Sequence, residues 1–398
     1  MTLNMMLDSQ ATSEAVGLAT PAMPPPRAAY IHVPFCKHRC GYCNFTLVAG
    51  RDDLVGPYLD ALRRELLTLG GPHEIDTLFF GGGTPSYLPA DKLDELLHLT
   101  KNIFCLAPGG ELSIEANPLD LTAQVASVLE KAGVTRISLG GQSFNSTKLR
   151  VLERDHSPVD LQRAAALARR IAPSVSIDLI FGAPGETAAT WQADLEEAVG
   201  TGVDHISTYG LTFEQGAAFW SRKRQGHIEQ LPDELERTLY ELAIDTLTHA
   251  GFEHYEVSNF ARPGHRCRHN EAYWRGDQYF AAGPGAASYV AGRRQMNHRS
   301  TTTYIKRLLA GQSPVADWEV LSPEDRARER LVFGLRRIEG INLAEFAQRS
   351  GYSVSDLVGP RLGSFQDLGL LEEQGGRLRL TRAGLLVSDS IWPYFLRP

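Results

Sequence analysis

From residue 28 onwards, short apolar runs alternate with longer amphipathic segments in which apolar residues recur every three to four positions. The apolar runs predict β-strands and the amphipathic segments predict helices. The predicted strands cover residues 28–35, 75–80, 111–117, 136–141, 174–181 and 205–213. The predicted helices cover residues 52–69, 90–104, 122–132, 159–171, 187–199 and 233–250. Six strand-then-helix units in succession are typical of a parallel sheet covered by helices.

Polar and glycine-rich signals lie where the predicted strands end. They are residues 36–43 and 81–83, Glu115, Gln142, Asp178 and Thr212. In barrel-type α/β folds this edge of the sheet carries the active site. Six units are fewer than the eight of a closed barrel, so we predict an α/β fold with a partial, TIM-like (β/α)6 barrel. An open doubly wound sheet is the alternative.

The remaining segments have different patterns. Residues 1–27 are rich in Ala, Pro, Ser and Thr, which predicts a disordered tail. Residues 252–300 look loop-rich and complete a core domain over 28–300. Helical patterns at 323–337, 342–349 and 354–368 precede LGLLEEQGGRLRLT, which predicts a hairpin around Gly-Gly. We therefore expect a small winged-helix-like domain over residues 315–392.

Composition narrows the class of protein. The 398 residues are 43% hydrophobic and 22% charged, which is ordinary for a globular protein. A net charge of −7 argues against nucleic-acid binding as the dominant role. The sequence has five cysteines, no secretory signal and no apolar run of about 18 residues, so we expect a cytoplasmic protein with reduced thiols.

Three of those cysteines lie together in YIHVPFCKHRCGYCNF, residues 30–45, with the spacing C-x3-C-x2-C. Zinc would need His32 or His38 as a fourth ligand. A four-thiolate cluster would need the distant Cys105 or Cys267. The third option is a [4Fe-4S] cluster held by three thiolates, with one iron open to the amino and carboxylate groups of S-adenosylmethionine (SAM).

The cysteine motif and FFGGGTP, residues 79–85, together resemble the radical SAM superfamily. Glycine lets backbone groups approach a ligand closely, as a glycine motif beside SAM requires. No G-x4-GK[ST] pattern is present, so a nucleotide P-loop is not indicated.

Longer segments resemble one family within that superfamily. They are YIHVPFCKHRCGYCNF, GGGTPSYL, SIEANP, ISLGGQSF, IDLIFGAPGET and HRCRHNEAYW. The sequence is similar over residues 28–392 to the family of oxygen-independent coproporphyrinogen III dehydrogenase (HemN) and related heme chaperones. The resemblance implies a [4Fe-4S] cluster, SAM and a function in porphyrin or heme handling.

The resemblance also implies roles for individual residues. Cys36, Cys40 and Cys43 match the cluster ligands. The positions that match SAM-binding residues are Tyr30, Tyr42, Gly82, Gly83, Glu115, Gln142, Arg154 and Asp178. Carboxylates suit the hydroxyl and amine groups of SAM, and arginine suits its carboxylate. The alternative for Glu115 and Asp178 is capping of the following loop or helix.

Two departures point to the heme-chaperone branch. The dehydrogenases carry a further cysteine two positions after the third ligand, where this sequence has Phe45. HNEAYW, residues 269–274, resembles the heme-binding motif of the chaperones, which makes His269 the candidate heme ligand. The alternative is a packed, hydrogen-bonded histidine in a loop. His265 is a competing ligand, and Cys267 fits a buried thiol better than a second ligand.

The expected function is heme binding and transfer to client hemoproteins. We also expect an electron donor for the cluster, and the sequence leaves open whether the protein forms a homodimer. The rival is radical decarboxylation of coproporphyrinogen III. A third hypothesis is DNA binding by the C-terminal domain, whose basic stretch contains Arg326, Arg328, Arg330, Arg336 and Arg337. We expect no nucleic-acid partner.

Overall fold

The computed structural model describes residues 23–396, so residues 1–22 of the predicted disordered tail lie outside the described residues. The strands are β1 (Ala28–Val33), β2 (Phe35–Cys36), β3 (Val48–Ala49), β4 (His73–Gly82), β5 (Phe104–Ala116), β6 (Arg136–Gln142), β7 (Ser174–Phe181), β8 (His205–Gly210), β9 (Glu253–Glu256), β10 (Asn259–Ala261), β11 (Tyr279–Ala282), β12 (Ala287–Val290), β13 (Arg293–Asn297), β14 (Val315–Val320), β15 (Ile341–Asn342), β16 (Leu371–Gln374) and β17 (Arg377–Leu380). The helices are α1 (Val55–Thr68), α2 (Ala90–Lys101), α3 (Ala123–Lys131), α4 (Ser146–Val151), α5 (Pro158–Ile171), α6 (Ala188–Gly200), α7 (Ala218–Arg224), α8 (Asp233–His249), α9 (Arg268–Trp274), α10 (Thr301–Leu309), α11 (Pro323–Leu335), α12 (Leu343–Ser350), α13 (Val354–Val358), α14 (Arg361–Asp367), α15 (Arg382–Leu386) and α16 (Ser388–Phe395).

Six parallel strands form the centre of the main sheet. They are neighbours in the order β1, β4, β5, β6, β7 and β8, and each is followed in the chain by a helix. A doubly wound sheet would reverse this order at a switch point, so that alternative is wrong. The sheet continues beyond β8 with β10 and β9, and beyond β1 with β11 to β14. The predicted partial (β/α)6 barrel is confirmed.

The helices cover the strands because each has one apolar face. Tyr58, Leu59, Leu62 and Leu66 of α1 are buried at 0–1% exposure in the same cluster as the strand residues. Polar and apolar residues alternate along β5, β7 and β8, and the apolar ones pack against the helices. Polar side chains are concentrated on one face of the parallel strands, where they form the site described below.

The prediction of a loop-rich segment over 252–300 was wrong. This part of the chain contains β9, β10, α9, β11, β12 and β13. These strands are three to five residues long, too short to show a clear period in the sequence. β11 pairs in parallel with β1, so the segment extends the sheet and helps to position the first site strand.

The C-terminal part of the chain forms a second buried cluster around Leu331, Leu335, Phe346, Leu378 and Phe395. Its three-stranded sheet has the order β15, β17, β16, with β15 between α11 and α12 in the chain and the β16–β17 hairpin after α14. The β16–β17 hairpin turns at Gly375 and Gly376, whose φ angles of 59° and 72° belong to a tight turn that favours glycine. The predicted winged-helix-like domain is thus present, while its exact limits at 315–392 stay a prediction.

Three arginines of the basic stretch make contacts within the protein. Arg328 donates to the carbonyl of Phe395 at 3.0 Å, and Arg337 pairs with Glu339. The Arg336 guanidinium lies 4.7 Å from the Trp274 ring centroid. Arg328 and Arg337 thus make contacts inside the C-terminal domain, and Arg336 contacts the core. Within residues 23–396, no helix is both long enough and apolar enough to cross a membrane.

Candidate functional site

Cys36 is the last residue of the short strand β2 after β1, and Cys40 and Cys43 lie on the loop between β2 and its partner β3. All three are free thiols, and the Cys43 amide donates to the Cys40 carbonyl at 3.0 Å. Arg39 holds the loop by donating to the carbonyls of Cys43 and Phe45 at 3.3 Å and of Leu47 at 2.9 Å. Sequence analysis missed this role of Arg39, because carbonyl contacts leave no pattern in the sequence.

The surroundings of the thiols fit a cluster of iron and sulfide. Burial is the main cause that raises the pKa of Cys36 to about 11, and the neighbouring Cys43 and Cys40 contribute to the rise. The Thr84 hydroxyl lies 3.3 Å from the Cys36 sulfur, and Arg154 Nη1 lies 3.5 Å from the Cys40 sulfur. Three soft ligands in a sheltered place, with donors beside them, match the needs of an iron–sulfur cluster.

The zinc alternative requires the cysteines and a histidine to converge on one ion. Among residues 23–396, no group of three or more His, Cys, Asp or Glu side chains converges on one point, the three cysteines included, so the histidine contacts decide. His32 Nε2 donates to the Thr46 carbonyl, its Nδ1 lies 3.1 Å from the Tyr30 hydroxyl, and His38 Nε2 donates to the Glu153 carbonyl at 2.7 Å. Both histidines therefore support the loop and do not complete a metal site.

The glycine motif at the end of β4 is crowded by backbone. A Cβ atom on Gly83 would lie 2.7 Å from the Phe35 carbonyl oxygen and 2.9 Å from that of Val33. Gly82 has a φ of 114°, and a Cβ atom there would lie 2.4 Å from the His32 ring. Glycine is required at both positions, and it lets the Gly82 amide donate to Glu115 at 2.9 Å.

Two buried carboxylates line the strands next to this motif. Burial raises the pKa of Glu115 to about 7, and the charge of Asp178 raises it as well. Asp178 accepts hydrogen bonds from Ser138 at 3.1 Å, and burial also raises the pKa of its carboxyl. Neither carboxylate has a cationic partner at hydrogen-bond distance among the described residues. A ligand that offers an amine and hydroxyls, as SAM does, would satisfy both.

Gln142 and Arg154 meet beside the cysteine loop. A Cβ atom on Gly140 would lie 3.2 Å from Gln142 Nε2 and 3.6 Å from Arg154 Nη2, so the two side chains face one place. Gln142 has a φ of 64°, a strained backbone conformation that is typical of functional sites. Arg154 donates to the Gly140 carbonyl at 2.7 Å, and its buried Nε has no partner within residues 23–396. That unpartnered donor fits an anionic ligand group.

The two predicted tyrosines lie in different parts of the site. Tyr42 packs edge-on against Phe219 with 6.3 Å between ring centroids, near Cys40 and Arg154. Tyr30 stacks on Phe79 at 6.1 Å and donates to or accepts from His32 at 3.1 Å. Tyr42 therefore belongs with the cysteine loop, and Tyr30 with the strands.

His269 lies on helix α9 and not in a loop, as its surroundings in the sequence had suggested. Its side chain is 1% exposed. Nδ1 lies 2.9 Å from the Thr77 hydroxyl, and Nε2 lies 3.0 Å from the Tyr273 hydroxyl. Burial lowers the pKa of His269 to about 3, so the ring is neutral.

A carboxylate that sequence analysis missed holds α9 against the sheet. Glu111 of β5 accepts from the amides of Arg268 at 3.1 Å and His269 at 3.2 Å. The His269 ring also lies 6.5 Å from the Tyr30 ring and 5.1 Å from the Phe79 ring, centroid to centroid. The candidate heme ligand therefore contacts strand residues beside the predicted SAM positions.

Cys267 and Phe45 also have clear surroundings. Cys267 is 4% exposed, and burial raises the pKa of its thiol to about 12. It is therefore a protonated, buried thiol at neutral pH. Phe45 is 68% exposed, and its carbonyl accepts from Arg39. Phe45 thus contacts the loop through its backbone carbonyl, and its side chain offers no sulfur ligand.

Comparisons with known proteins match this fold and site. Residues 30–198 match the radical SAM superfamily model, and residues 321–387 match the HemN C-terminal domain model. The structure of coproporphyrinogen III oxidase (HemN) from Escherichia coli has a TM-score of 0.82 at 22% identity, over 95% of this chain and 91% of that one. That identity is low enough for the likeness to concern the fold alone. The chain is a radical SAM protein with a HemN-type C-terminal domain.

Two relatives identify the family more narrowly. The heme chaperone HemW of Bacillus subtilis (strain 168) is 33% identical over 377 residues, which is 93% of this chain and 99% of that protein. The heme chaperone HemW of Mycobacterium tuberculosis (strain ATCC 25618 / H37Rv) is 39% identical over 396 residues, 97% of this chain and 98% of that protein. The chain belongs to the HemW family.

Proposed function

We propose that the protein binds heme and transfers it to client hemoproteins. The observation that carries this proposal is its likeness to curated heme chaperones, at 33% and 39% identity over more than nine-tenths of the chain. The surroundings of His269 support it. A neutral imidazole has the free electron pair that heme iron needs, and a hydrogen bond at the other nitrogen fixes the ring orientation.

Coordination by His269 would use Nε2, because Nδ1 is held by Thr77 from the strand side. In this structure Nε2 is hydrogen-bonded to the Tyr273 hydroxyl. Heme binding therefore requires Tyr273 to move away from the histidine. Tyr273 and His269 are both on α9, so a side-chain rotation can open the nitrogen without unfolding the helix.

The cysteine loop and the strand ends would hold the second set of cofactors. Cys36, Cys40 and Cys43 are the proposed ligands of a [4Fe-4S] cluster. The proposed SAM residues are Tyr30, Tyr42, Gly82, Gly83, Glu115, Gln142, Arg154 and Asp178. When bound, the cluster supplies the electron that can cleave the sulfonium of SAM. The residues of this chain orient the ligand, with Arg154 facing an anionic group and Glu115 facing a donor.

The main alternative is the coproporphyrinogen III reaction. The structural likeness to HemN is the observation that favours it, although it extends only to the fold. Phe45, at the position where the dehydrogenases have a cysteine, weighs against it. Anaerobic incubation of the reconstituted protein with coproporphyrinogen III, SAM and a reductant decides between the two. Protoporphyrinogen formation would contradict a purely chaperone role.

A transfer experiment tests the chaperone proposal itself. Heme-loaded protein is mixed with increasing concentrations of an apo b-type cytochrome, and the cytochrome spectrum is followed. Direct transfer gives a rate that rises with cytochrome concentration, because the step occurs in a complex of the two proteins. Passive release gives a rate that is limited by heme dissociation and independent of the cytochrome. The second result would overturn the proposal.

Further partners belong to the same proposal. A cluster that cycles between two oxidation states needs a protein or small-molecule electron donor. Thiols that must stay reduced to bind a cluster fit a cytoplasmic location. The proposal leaves the oligomeric state open between a monomer and a homodimer, and sedimentation of the heme-loaded protein measures it.

A further inference from the structure

A cavity of about 340 Å³ lies where the core meets the C-terminal domain. Its walls come from α9, the β11–β12 strands and α11. The aromatic side chains that line it are Tyr273, Trp274, Tyr279, Tyr289 and Phe333. Ligand cavities of this size that are mostly aromatic, with a few polar groups, suit flat apolar molecules.

The charged groups of the cavity leave positive charge in excess. Asp277 is paired with Arg275 at 2.7 Å and with Arg349 at 2.9 Å. Glu329 is paired with Arg294. The two acids are thus neutralised by neighbours, and the remaining charged groups on the wall are two arginines of α11.

Those two arginines are incompletely satisfied. The Arg326 side chain makes no hydrogen bond or ion pair with any residue from 23 to 396, and its guanidinium lies over the β12–β13 turn, 2.9 Å from where a Cβ atom of Gly292 would be. Arg330 donates to the carbonyls of Arg349 at 3.2 Å and Gly276 at 3.3 Å, but its buried Nε has no partner in the described chain. The indole nitrogen of Trp274 is likewise buried without an acceptor among these residues. Free donors around an aromatic cavity indicate a ligand with acceptor groups.

Tyr273 lies between the cavity and His269. The Tyr273 ring packs against His269 at 4.9 Å and against Tyr279 at 4.7 Å, both edge-on. Tyr279 in turn lies opposite Tyr289 in the β11–β12 pair. One tyrosine side chain therefore separates a buried neutral imidazole from an aromatic, positively charged cavity.

We propose that this cavity binds the tetrapyrrole ring, with Arg326 and Arg330 holding its carboxylate side chains and Tyr273 gating access to His269. The inference rests on the proposed heme binding and adds the location and the anion-binding residues. Arginine forms strong, paired hydrogen bonds with carboxylates, which explains why α11 carries two such side chains here.

Arg330 also joins the two parts of the chain, so its replacement has a structural effect of its own. Arg326 lacks those contacts and is the residue that tests the proposal. Protoporphyrin IX and its dimethyl ester are the appropriate probes, because they have no iron and differ only in the charge of the carboxyl groups. Their binding is followed by fluorescence, and heme binding by Soret absorption.

We expect Arg326→Gln to weaken protoporphyrin IX binding by about tenfold, the effect of losing a charged hydrogen bond, and to leave the dimethyl ester unchanged. Arg163→Gln, an exposed arginine on α5, is the matched control and should change neither. Equal affinities of wild type and Arg326→Gln for protoporphyrin IX would overturn the proposal. Equal loss for both probes would overturn the role of charge.

Two further variants separate this inference from the proposed function. Tyr289→Trp narrows the cavity and should weaken both probes, and an unchanged affinity would place the porphyrin elsewhere. His269→Ala should weaken heme and leave protoporphyrin IX unchanged. If His269→Ala leaves heme binding intact while Arg326→Gln weakens the binding of heme and protoporphyrin IX, His269 is not the iron ligand and the cavity is the binding site. If His269→Ala weakens heme binding while Arg326→Gln changes neither, His269 is the ligand and the cavity is not the binding site.

Discussion

The hydroxyl of Tyr273 lies 3.0 Å from Nε2 of His269, one turn earlier on the same helix. This contact satisfies a ring nitrogen that is buried away from water. It also occupies the nitrogen that faces away from Thr77. The same hydrogen bond thus stabilises the ligand-free protein and blocks Nε2, the nitrogen that would bind the heme iron.

Replacing Tyr273 by phenylalanine removes the hydroxyl and keeps the ring. Opening then breaks no hydrogen bond, and each such bond is worth about 1 kcal/mol net. We expect heme affinity to rise by roughly fivefold, with an unchanged Soret position. The free energy of unfolding of the ligand-free chain should fall by about 1–3 kcal/mol, because Nε2 is left buried without a partner. Soret titration and urea denaturation measure the two effects.

Tyr279→Phe is the matched control, because Tyr279 packs on Tyr273 without contacting His269. It should change heme affinity far less than Tyr273→Phe. Loss of heme binding in Tyr273→Phe would instead make the hydroxyl part of the bound state.

Glu115 gives the ligand-free chain a defined pH dependence. Its pKa is raised from an ordinary value of 4.5 to about 7, so the folded state holds the proton more tightly than the unfolded state. The protonated carboxyl therefore stabilises the fold below pH 4.5, and this contribution is lost as the pH rises through 7. Glu115→Gln stays neutral and can still accept from Gly82. It should become more stable than wild type by up to about 3 kcal/mol at pH 8, and equal to it near pH 4.

Denaturation midpoints of wild type and Glu115→Gln between pH 4 and pH 8 test this expectation. Glu130→Gln, an exposed glutamate on α3, should show no such trend. A Glu115→Gln variant that is less stable than wild type at pH 8 would mean that the carboxylate already has a cationic partner.

The glycine motif predicts a steric effect. A Cβ atom on Gly83 would meet the backbone oxygens of Phe35 and Val33, which cannot rotate away as a side chain can. Gly83→Ala should destabilise the chain by about 1–3 kcal/mol and shift the cysteine loop. Gly363→Ala, inside α14 with open space around it, should be neutral or slightly stabilising. Similar denaturation midpoints for the two variants would contradict this account of the motif.

Arg154 should couple the cysteine loop to SAM binding. Arg154→Gln removes the positive charge beside the Cys40 sulfur and the unpartnered Nε donor. We expect SAM affinity of the reconstituted protein to fall by about tenfold, as for the loss of a charged hydrogen bond. Anaerobic equilibrium dialysis measures this, with Arg150→Gln on the exposed side of α4 as control. Wild-type affinity in Arg154→Gln would assign the arginine to loop support alone.

Much of the fold could be predicted because its signals are local. All six parallel strands were predicted, although β5 begins at Phe104, inside the predicted second helix, and β8 ends at Gly210, before its predicted end at 213. The short strands of residues 252–300 were missed because their register is set by the β1 and β8 edges of the sheet. The same holds for Thr77 and Glu111, which position His269 from strands nearly 200 and 160 residues away along the chain. Such contacts leave no spacing in the sequence.

The most direct test of the central claim is the absorption spectrum of heme-loaded His269→Ala beside His265→Ala. His265 lies four residues earlier and faces Asp204 instead of the sheet interior, so it is the matched histidine. Retained iron–sulfur absorbance shows that each variant is folded. We expect His269→Ala to shift the Soret band and weaken heme binding by at least about tenfold, with His265→Ala unchanged. An unchanged Soret position and affinity in His269→Ala would contradict the assignment of His269 as the heme ligand.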